Sequence, residues 1–321
     1  MAEYKLIEYS ESMFDEWNEF VKESNNGTIF HRLDFLQYHK NHFKDNENNL
    51  VWLKNNKMYA VMPLAVFKEN GKKVGKSPYG ASYGGLITSG KIKYIEIEQF
   101  SLDFNKYIAE KGIETVVITN PPIIYYKKAC NYYEFLLLKN DSKLINSDLT
   151  AYISIDEDVQ VNYHRSAKKS VRKSIKNKLF FEESDDLDSF YKILVENRNK
   201  FSSKPVHTKE NLRYLLDLMK DHVYLFMVYK DRVPVAGSIV FSCNSKVILA
   251  FYWAHVEKYS EYSPINYLVY KISQWAYRRG YSIFDFGTQT VEMIPNYGGT
   301  NFKETLGSRG VLRSTYVLKS N

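Results

Sequence analysis

The sequence from Tyr281 to Gly310 reads YSIFDFGTQTVEMIPNYGGTNFKETLGSRG, and our interpretation of the fold starts from it. Residues 283–286 form a short, mostly apolar run, which is typical of a buried strand. Gly287 permits a sharp turn where that strand ends. After an irregular loop, the spacing predicts a short helix that carries Phe302 and Lys303, and then a last strand.

Two residues of this stretch are candidates for catalysis. In open α/β sheets ligands sit beyond the carboxyl ends of strands, so Lys303 with its aromatic neighbour Phe302 could hold an anion or a carbonyl group there. The alternative is that Lys303 is an ordinary surface lysine. Asp285 is a carboxylate within an apolar strand, which is costly to bury unless it is paired. It could hold the amine or take its proton, or it could simply hydrogen-bond to backbone at the strand end.

A second feature is a run of cations between His164 and Lys178, with no acid among them. The whole chain has a net charge of +7, and acids follow directly after this run. The pattern predicts an amphipathic helix. Its inward stripe is formed by Ala167, Val171, Ile175 and Leu179, and its cationic face by Arg165, Lys169, Arg172 and Lys176. Such a face is suited to phosphate groups, with Arg172 the preferred single residue, although it could also be merely solvated.

Composition limits the remaining classes of protein. The chain has 321 residues, enough for two ordinary domains, and only two cysteines, too few for a disulfide scaffold or a zinc site. No apolar run approaches the roughly 20 residues that span a bilayer, and the start of the chain does not resemble a secretory signal. We therefore expect a cytoplasmic protein with no metal, no membrane span and no DNA partner.

The order of predicted elements repeats. Each half reads as a strand, helices, a run of antiparallel strands, a helix, a strand and short closing elements; in the first half these include a strand from Tyr132 to Leu138. Asn55-Asn56 and Asp231-Arg232 suit tight hairpin turns. The sequence thus predicts an α/β protein with mixed α+β sheets and two tandem domains, 1–145 and 146–321.

Three segments of the second half carry short motifs: the basic helix 163–174, the strand start Pro234-Val235-Ala236-Gly237-Ser238, and Phe284-Asp285-Phe286-Gly287 followed by Asn301-Phe302-Lys303-Glu304-Thr305-Leu306-Gly307. The order of elements resembles the plan of the GNAT acyltransferase fold, and two copies in tandem with these motifs resemble the Fem-type (FemABX) peptidyltransferases and FemAB-like acetyltransferases. The first half resembles the family mainly in layout.

The resemblance implies amide formation, with the active cleft in the second domain. Fem enzymes transfer an aminoacyl group from tRNA to a peptidoglycan precursor, and their Phe-Lys pair, here Phe302 and Lys303, would place a cation near the donor ester or its phosphate. The chain departs from many tRNA-docking members because no heptad pattern predicts their coiled-coil insertion. The acceptor-binding residues of the first domain are not identified by motif.

The donor stays open between aminoacyl-tRNA and acyl-CoA, each as a co-substrate with no tightly bound cofactor. His255 follows a strand at the place where a GNAT sheet opens for its donor, so it is a candidate base, or else a structural histidine. CoA-dependent GNAT proteins hold the pyrophosphate with a glycine-containing loop, whereas residues 255–264 here contain no glycine.

The expected acceptor is a phosphate-bearing small molecule, with tRNA a further candidate partner. Two alternatives remain: an acyl-CoA-dependent N-acyltransferase of surface-polysaccharide biosynthesis, and a non-catalytic binding protein that kept the fold.

Overall fold

The computed structural model describes residues 4–39, 42–200 and 203–320. They form two compact units, residues 4–148 with 312–320, and residues 149–311. The predicted domains 1–145 and 146–321 stay a prediction, and the units differ from them at the chain end. Residues 312–320 belong to the first unit because residues 315–319 pair with its strand at 115–119.

The strands and helices are numbered in chain order. The strands are β1 (Tyr4–Glu8), β2 (Leu50–Lys54), β3 (Lys57–Met62), β4 (Ala65–Glu69), β5 (Lys72–Ser77), β6 (Ile87–Thr88), β7 (Thr115–Thr119), β8 (Lys143–Ser154), β9 (Phe180–Glu183), β10 (Val223–Lys230), β11 (Val233–Ser242), β12 (Val247–His255), β13 (Ile283–Thr288), β14 (Thr290–Val291), β15 (Ile294–Pro295) and β16 (Arg309–Lys319). The helices are α1 (Phe14–Glu23), α2 (Leu33–Leu36), α3 (Tyr94–Glu110), α4 (Tyr132–Lys139), α5 (Arg165–Lys176), α6 (Leu187–Asn199), α7 (Lys209–Leu218), α8 (Pro264–Arg278) and α9 (Tyr297–Thr305).

The first unit contains two sets of paired strands, in the orders β1-β2-β3-β6 and β4-β5-β7-β16. The β2–β3 hairpin turns at Asn55 and Asn56, both with positive φ, as the sequence predicts for a tight turn. Helix α3 packs its buried side chains, among them Phe100, against Trp52 of β2 to form the core of this unit.

The second unit is built on a sheet of order β8-β13-β12-β11-β10-β9. Strands β10, β11 and β12 form consecutive antiparallel hairpins, and Asp231 and Arg232 turn the first of them with positive φ. Strands β12 and β13 run parallel, but only Val247–Leu249 pair with Ile283–Asp285. Both strands continue beyond this pairing, so the sheet opens between them.

One predicted strand is wrong. Residues 132–138 form helix α4, which buries Leu136 and Leu137 in the first core and leaves Phe135 and Leu138 about half exposed. A short apolar run fits a strand or a helix equally well in the sequence, and only packing against α3 decides between them here.

The predicted mixed α/β class is confirmed by these sheets and their covering helices. Within residues 4–39, 42–200 and 203–320, no helix is long and apolar enough to cross a membrane. The same residues contain no cluster of three or more His, Cys, Asp or Glu side chains placed to hold a metal ion.

Candidate active site

A cavity of about 660 Å³ lies where β12 and β13 separate. The ends of the two strands form one part of its wall. The end of α6, residues from the segments 257–266 and 289–296, and α9 form the rest. Three of the residues predicted for the site line it, namely His255, Phe302 and Lys303. The open edge between two parallel strands is thus the place where the chain assembles its candidate catalytic groups.

Lys303 is buried, with only 6% of its surface exposed, so it is not the surface lysine of the alternative interpretation. Its Nζ donates hydrogen bonds to the carbonyl oxygens of Gly287 at 3.0 Å and of Thr288 at 2.8 Å. Gly287 has a φ of 73°, and this turn presents both carbonyls to the ammonium group. No acceptor among the described residues takes the third ammonium proton.

Burial lowers the pKa of Lys303 from 10.5 to about 8, and the nearby charge of Asp285 partly opposes the shift. The ammonium group therefore remains mostly charged at pH 7 while losing much of its hydration. Nζ also lies 5.8 Å from the centre of the Trp253 ring, whose face attracts a cation. The site holds a desolvated positive charge at the cavity wall.

Asp285 is fully buried and is not among the residues that line the cavity. Its Oδ1 accepts hydrogen bonds from Thr150 Oγ1 at 2.6 Å and from the backbone N–H of Gly287 at 2.7 Å. The second bond is the strand-end backbone contact that the structural alternative predicted. Asp285 thereby fixes the turn whose carbonyls hold Lys303.

His255 lies at the end of β12, and its Nε2 is 3.0 Å from Ser260 Oγ. Ser260 Oγ donates to Glu257 Oε1 at 3.3 Å, and Glu257 is also bound by Lys200 at 2.6 Å. Because the carboxylate only accepts, the single hydroxyl proton of Ser260 goes to Glu257, and Nε2–H of His255 donates to Ser260. Nδ1 is then the unprotonated nitrogen, and it has no partner among the described residues.

Burial of His255 and the hydrogen bond from Lys200 to Glu257 keep the two groups in these protonation states. The hydrogen bond from Lys200 holds the pKa of Glu257 below its ordinary value. Burial lowers the pKa of His255 below 6.5; Glu257 opposes this shift and Lys200 adds to it. At neutral pH the histidine is therefore neutral and able to accept a proton.

Aromatic rings form the apolar part of the cavity wall. The ring centre of Trp253 is 5.5 Å from that of Phe286 and 6.1 Å from that of Phe302. Sequence reasoning missed Trp253, although it precedes His255 by two residues and therefore points to the same side of β12. It also missed Lys200, Ser260 and Glu257, and no sequence signal connects Lys200 with a residue 57 positions further on.

The segment before α8 is a 3₁₀ helix, Glu257–Tyr262, followed by Ser263 with a φ of 56°. Pro264 begins α8, which has no side-chain cap at its N-terminus. This segment carries Glu257 and Glu261 where a CoA-binding loop would present glycine amides. Because Glu257 is paired with Lys200, the features that oppose a pyrophosphate here are the lack of glycine and the charge of Glu261.

Helix α5 lies against α8, α9 and the 3₁₀ helix. It buries Ala167, Val171 and Ser174, and the expected inward position of Ile175 is wrong because this side chain is 52% exposed. At 3.6 residues per turn, position 175 lies about 80° around the helix from position 167, whereas position 174 lies about 20° away. Ser174 therefore takes the inward place, with its Oγ 2.8 Å from the carbonyl oxygen of Tyr262.

The cationic face of α5 lies outside the cavity wall. Arg165, Lys169 and Arg172 are exposed and are not among the residues that line the cavity. No acid of the described ranges forms an ion pair with any of them. The structure thus brings Lys303, Phe302 and His255 together and leaves these three cations on a separate surface of the same unit.

Comparison with known proteins agrees with this geometry. Residues 162–304, which include every residue of the cavity wall, match a family model described as an acetyltransferase (GNAT) domain. Among curated proteins, none matches the chain. Similar solved structures include FemX, with 13% identity, a TM-score of 0.76 and coverage of 98% of this chain and 97% of that one.

Two further structures extend the comparison. L-PGS from Bacillus licheniformis has 11% identity and a TM-score of 0.60 over 96% of this chain and 91% of its own. A tandem GNAT protein from the clavulanic acid biosynthesis pathway has 8% identity and a TM-score of 0.55 over 99% of both chains. At these identities the likeness shows the fold, and it confirms the predicted tandem GNAT plan. The chain has the tandem GNAT fold and is similar in structure to FemX over nearly its whole length, and its residues 162–304 match an acetyltransferase (GNAT) domain.

Proposed function

We propose that this chain is an amide-forming transferase that moves an aminoacyl group from tRNA to an amine of a phosphate-bearing cell-envelope or surface-sugar precursor. The observation that carries the proposal is the buried ammonium group of Lys303, held by two carbonyls with one N–H left, in the wall of an open cavity that also contains a neutral His255. Lys303 supplies a fixed cation that can stabilise an oxyanion, and His255 supplies a base that can take a proton from an amine.

Lys303 stabilises the negative charge that develops on the acyl oxygen. Its two hydrogen bonds to Gly287 and Thr288 fix the ammonium group before the substrate arrives, so little reorganisation is needed during the reaction. Burial strengthens the interaction because few water molecules screen it. Asp285 has a positioning role in this proposal, since it ties down Gly287 and its charge favours the ammonium form.

His255 acts as the base through Nδ1. The amine nitrogen attacks the acyl carbon, a C–N bond forms, the C–O bond to the tRNA ribose breaks, and one amine proton moves to Nδ1. The same proton then passes to the leaving ribose oxygen, which balances the reaction. Phe302 and Trp253 supply an apolar wall for the side chain of the aminoacyl group.

Two observations support tRNA as the donor. The segment before α8 contains no glycine and carries the exposed Glu261, which disfavours the pyrophosphate of CoA. The unpaired cations Arg165, Lys169 and Arg172 of α5 offer a separate surface for the phosphates of an RNA. A structure of similar fold is named as the C-terminal domain of a putative lysylphosphatidylglycerol synthetase, and a lysyl group and a phosphate-bearing acceptor are consistent with the proposal.

An acyl-CoA donor is the second candidate, because the matching family model is that of an acetyltransferase. The two donors are separated by supplying aminoacyl-tRNA with a labelled amino acid or acyl-CoA with a labelled acyl group, each with a panel of UDP-linked amino sugars and UDP-linked muramyl peptides. Label in an alkali-stable amide from the tRNA donor alone supports the first proposal. Label from acyl-CoA alone supports the acyl-CoA donor instead. If neither donor gives a labelled amide, both proposals are contradicted. We place the reaction in the cytoplasm, where charged tRNA is available.

A further inference from the structure

A second cavity, of about 840 Å³, lies in the first unit and is strongly basic. Its wall comes from the end of α1, the β2–β3 hairpin, the segment after β6, and residues 127–128. Five of its eleven lining residues are lysines and one is an acid, Glu23; the lysines are Lys54, Lys57, Lys91, Lys127 and Lys128. We call it the lysine cavity.

Two of these lysines have fixed ammonium groups. Lys54 Nζ lies 2.5 Å from Glu96 Oε1 and 4.5 Å from the centre of the Tyr59 ring. Lys127 Nζ donates to the carbonyl oxygens of Lys22 at 3.1 Å and Glu23 at 2.9 Å, at the C-terminal end of α1, where a cation is favoured. The carboxylate of Glu96 compensates the charge of Lys54, whereas the charge of Lys127 is held by neutral carbonyl groups and stays uncompensated.

The other three lysines, Lys57, Lys91 and Lys128, have no ion-pair partner in the described ranges 4–39, 42–200 and 203–320. Their backbones are nevertheless held: Lys57 opposes Lys54 in the hairpin, and Lys128 bonds through its N–H and carbonyl to the buried side chain of Asn25. The three side chains themselves are exposed, but like charges gathered around one cavity still repel each other, and a bound anion relieves this repulsion.

We propose that the lysine cavity binds a ligand with two or more linked phosphate groups. The cavity is within the size range of small-molecule sites, and a single phosphate would neutralise only part of its excess charge. Lysine binds phosphate as a point charge and does not demand the planar geometry of arginine, which suits several ammonium groups around one oligophosphate. All lining residues lie between positions 23 and 128, so this site is separate in sequence from the candidate active site.

Calorimetric titration of the full chain with inorganic phosphate, inorganic pyrophosphate and a nucleoside diphosphate tests the proposal. We expect one pyrophosphate-binding event per chain at this cavity, with an affinity at least about tenfold above that for phosphate. Tighter binding of the nucleoside diphosphate would identify a nucleotide as the source of the phosphates, and equal binding would identify the inorganic form; both support an oligophosphate site. Equal affinities for phosphate and pyrophosphate, or no binding of pyrophosphate, would overturn the proposal of an oligophosphate site.

The triple variant Lys57→Gln, Lys91→Gln, Lys128→Gln locates the event. The matched control is Lys5→Gln, Lys106→Gln, Lys143→Gln, which neutralises three exposed lysines of the same unit outside the cavity. We expect the first variant to lose about tenfold or more in pyrophosphate affinity and the control to stay within about twofold. An equal loss of pyrophosphate affinity in both variants would reject the site. So would pyrophosphate binding that persists in the triple variant Lys57→Gln, Lys91→Gln, Lys128→Gln and is assigned to α5. Circular dichroism of both variants verifies that they are folded.

Discussion

Lys303 donates a hydrogen bond from Nζ to the carbonyl oxygen of Thr288 at 2.8 Å, although the two residues belong to different elements, α9 and β13. A second hydrogen bond to Gly287 holds the same ammonium group in a place where burial disfavours its charge. A charged group kept in such a position costs stability, which is common where a site is prepared for catalysis.

Replacing Lys303 by Met should leave the melting temperature at pH 7 unchanged or raise it. The protonated lysine bears its burial penalty below its folded pKa of about 8, and the penalty disappears between pH 8 and the unfolded value of 10.5. The penalty is on the order of 3 kcal/mol, from which the loss of the two hydrogen bonds is subtracted. Thermal unfolding from pH 7 to 10.5 should therefore show the advantage of the variant shrinking. An advantage that grows with pH would contradict this assignment.

The rate of transfer should depend on pH with two limbs. His255 must be neutral to accept a proton, and its pKa lies below 6.5, so the rate should rise as pH increases towards 6.5. Lys303 must be charged, so the rate should fall as pH rises through about 8. The His255→Gln variant should lose the acid limb and keep the basic one. An unchanged acid limb in this variant would remove His255 from the mechanism.

Ser260→Ala should lower kcat about tenfold with little change in KM, because His255 loses the partner that fixes its tautomer. Glu257→Gln should act in the same direction, since an amide nitrogen can compete for the Ser260 hydroxyl as a donor. Steady-state kinetics of both variants are compared with Glu261→Gln, an exposed acid on the same 3₁₀ helix. A similar kcat for all three variants would mean that the hydrogen-bond chain has no part in positioning His255.

Arg172→Ala should weaken binding of charged tRNA several-fold in low salt, with the difference shrinking as salt is raised. The affinity is measured over a salt series against Lys192→Ala, an exposed lysine of α6. Each lost phosphate contact should reduce the slope of log affinity against log salt by about 0.7 to 0.9. Identical slopes for the two variants would show that α5 is only a solvated surface.

Features that depend on neighbours in the sequence could be predicted. Asn55-Asn56 and Asp231-Arg232 adopt the positive φ values that their hairpins need, and the strand at 283–286 is buried as its apolar residues indicate. The order of elements was sufficient to predict the mixed α/β class and the tandem arrangement of two GNAT-like domains. The local pattern also predicted Phe302 and Lys303 in a helix after the strand at 283–286, and both lie in α9 and line the cavity.

Features that depend on packing between distant parts of the chain could not be predicted from the sequence. The run at 132–138 is helical because Leu136 and Leu137 pack into the core with α3, which its own sequence does not specify. Asp285 bonds to Thr150, which lies 135 residues earlier. The contact of Lys200 with Glu257 likewise joins α6 to the segment before α8. These side chains meet only because the sheet brings their elements together.

The most direct test of the central claim is the single-turnover rate of amide formation with saturating aminoacyl-tRNA and amine acceptor, for the wild type and for Lys303→Met. Lys258→Met, an exposed lysine beside the cavity-lining Glu257, is the matched control. We expect a loss of about 10²- to 10³-fold for Lys303→Met and a rate close to wild type for the control. A Lys303→Met rate within about twofold of wild type would contradict the placement of the active site between β12 and β13.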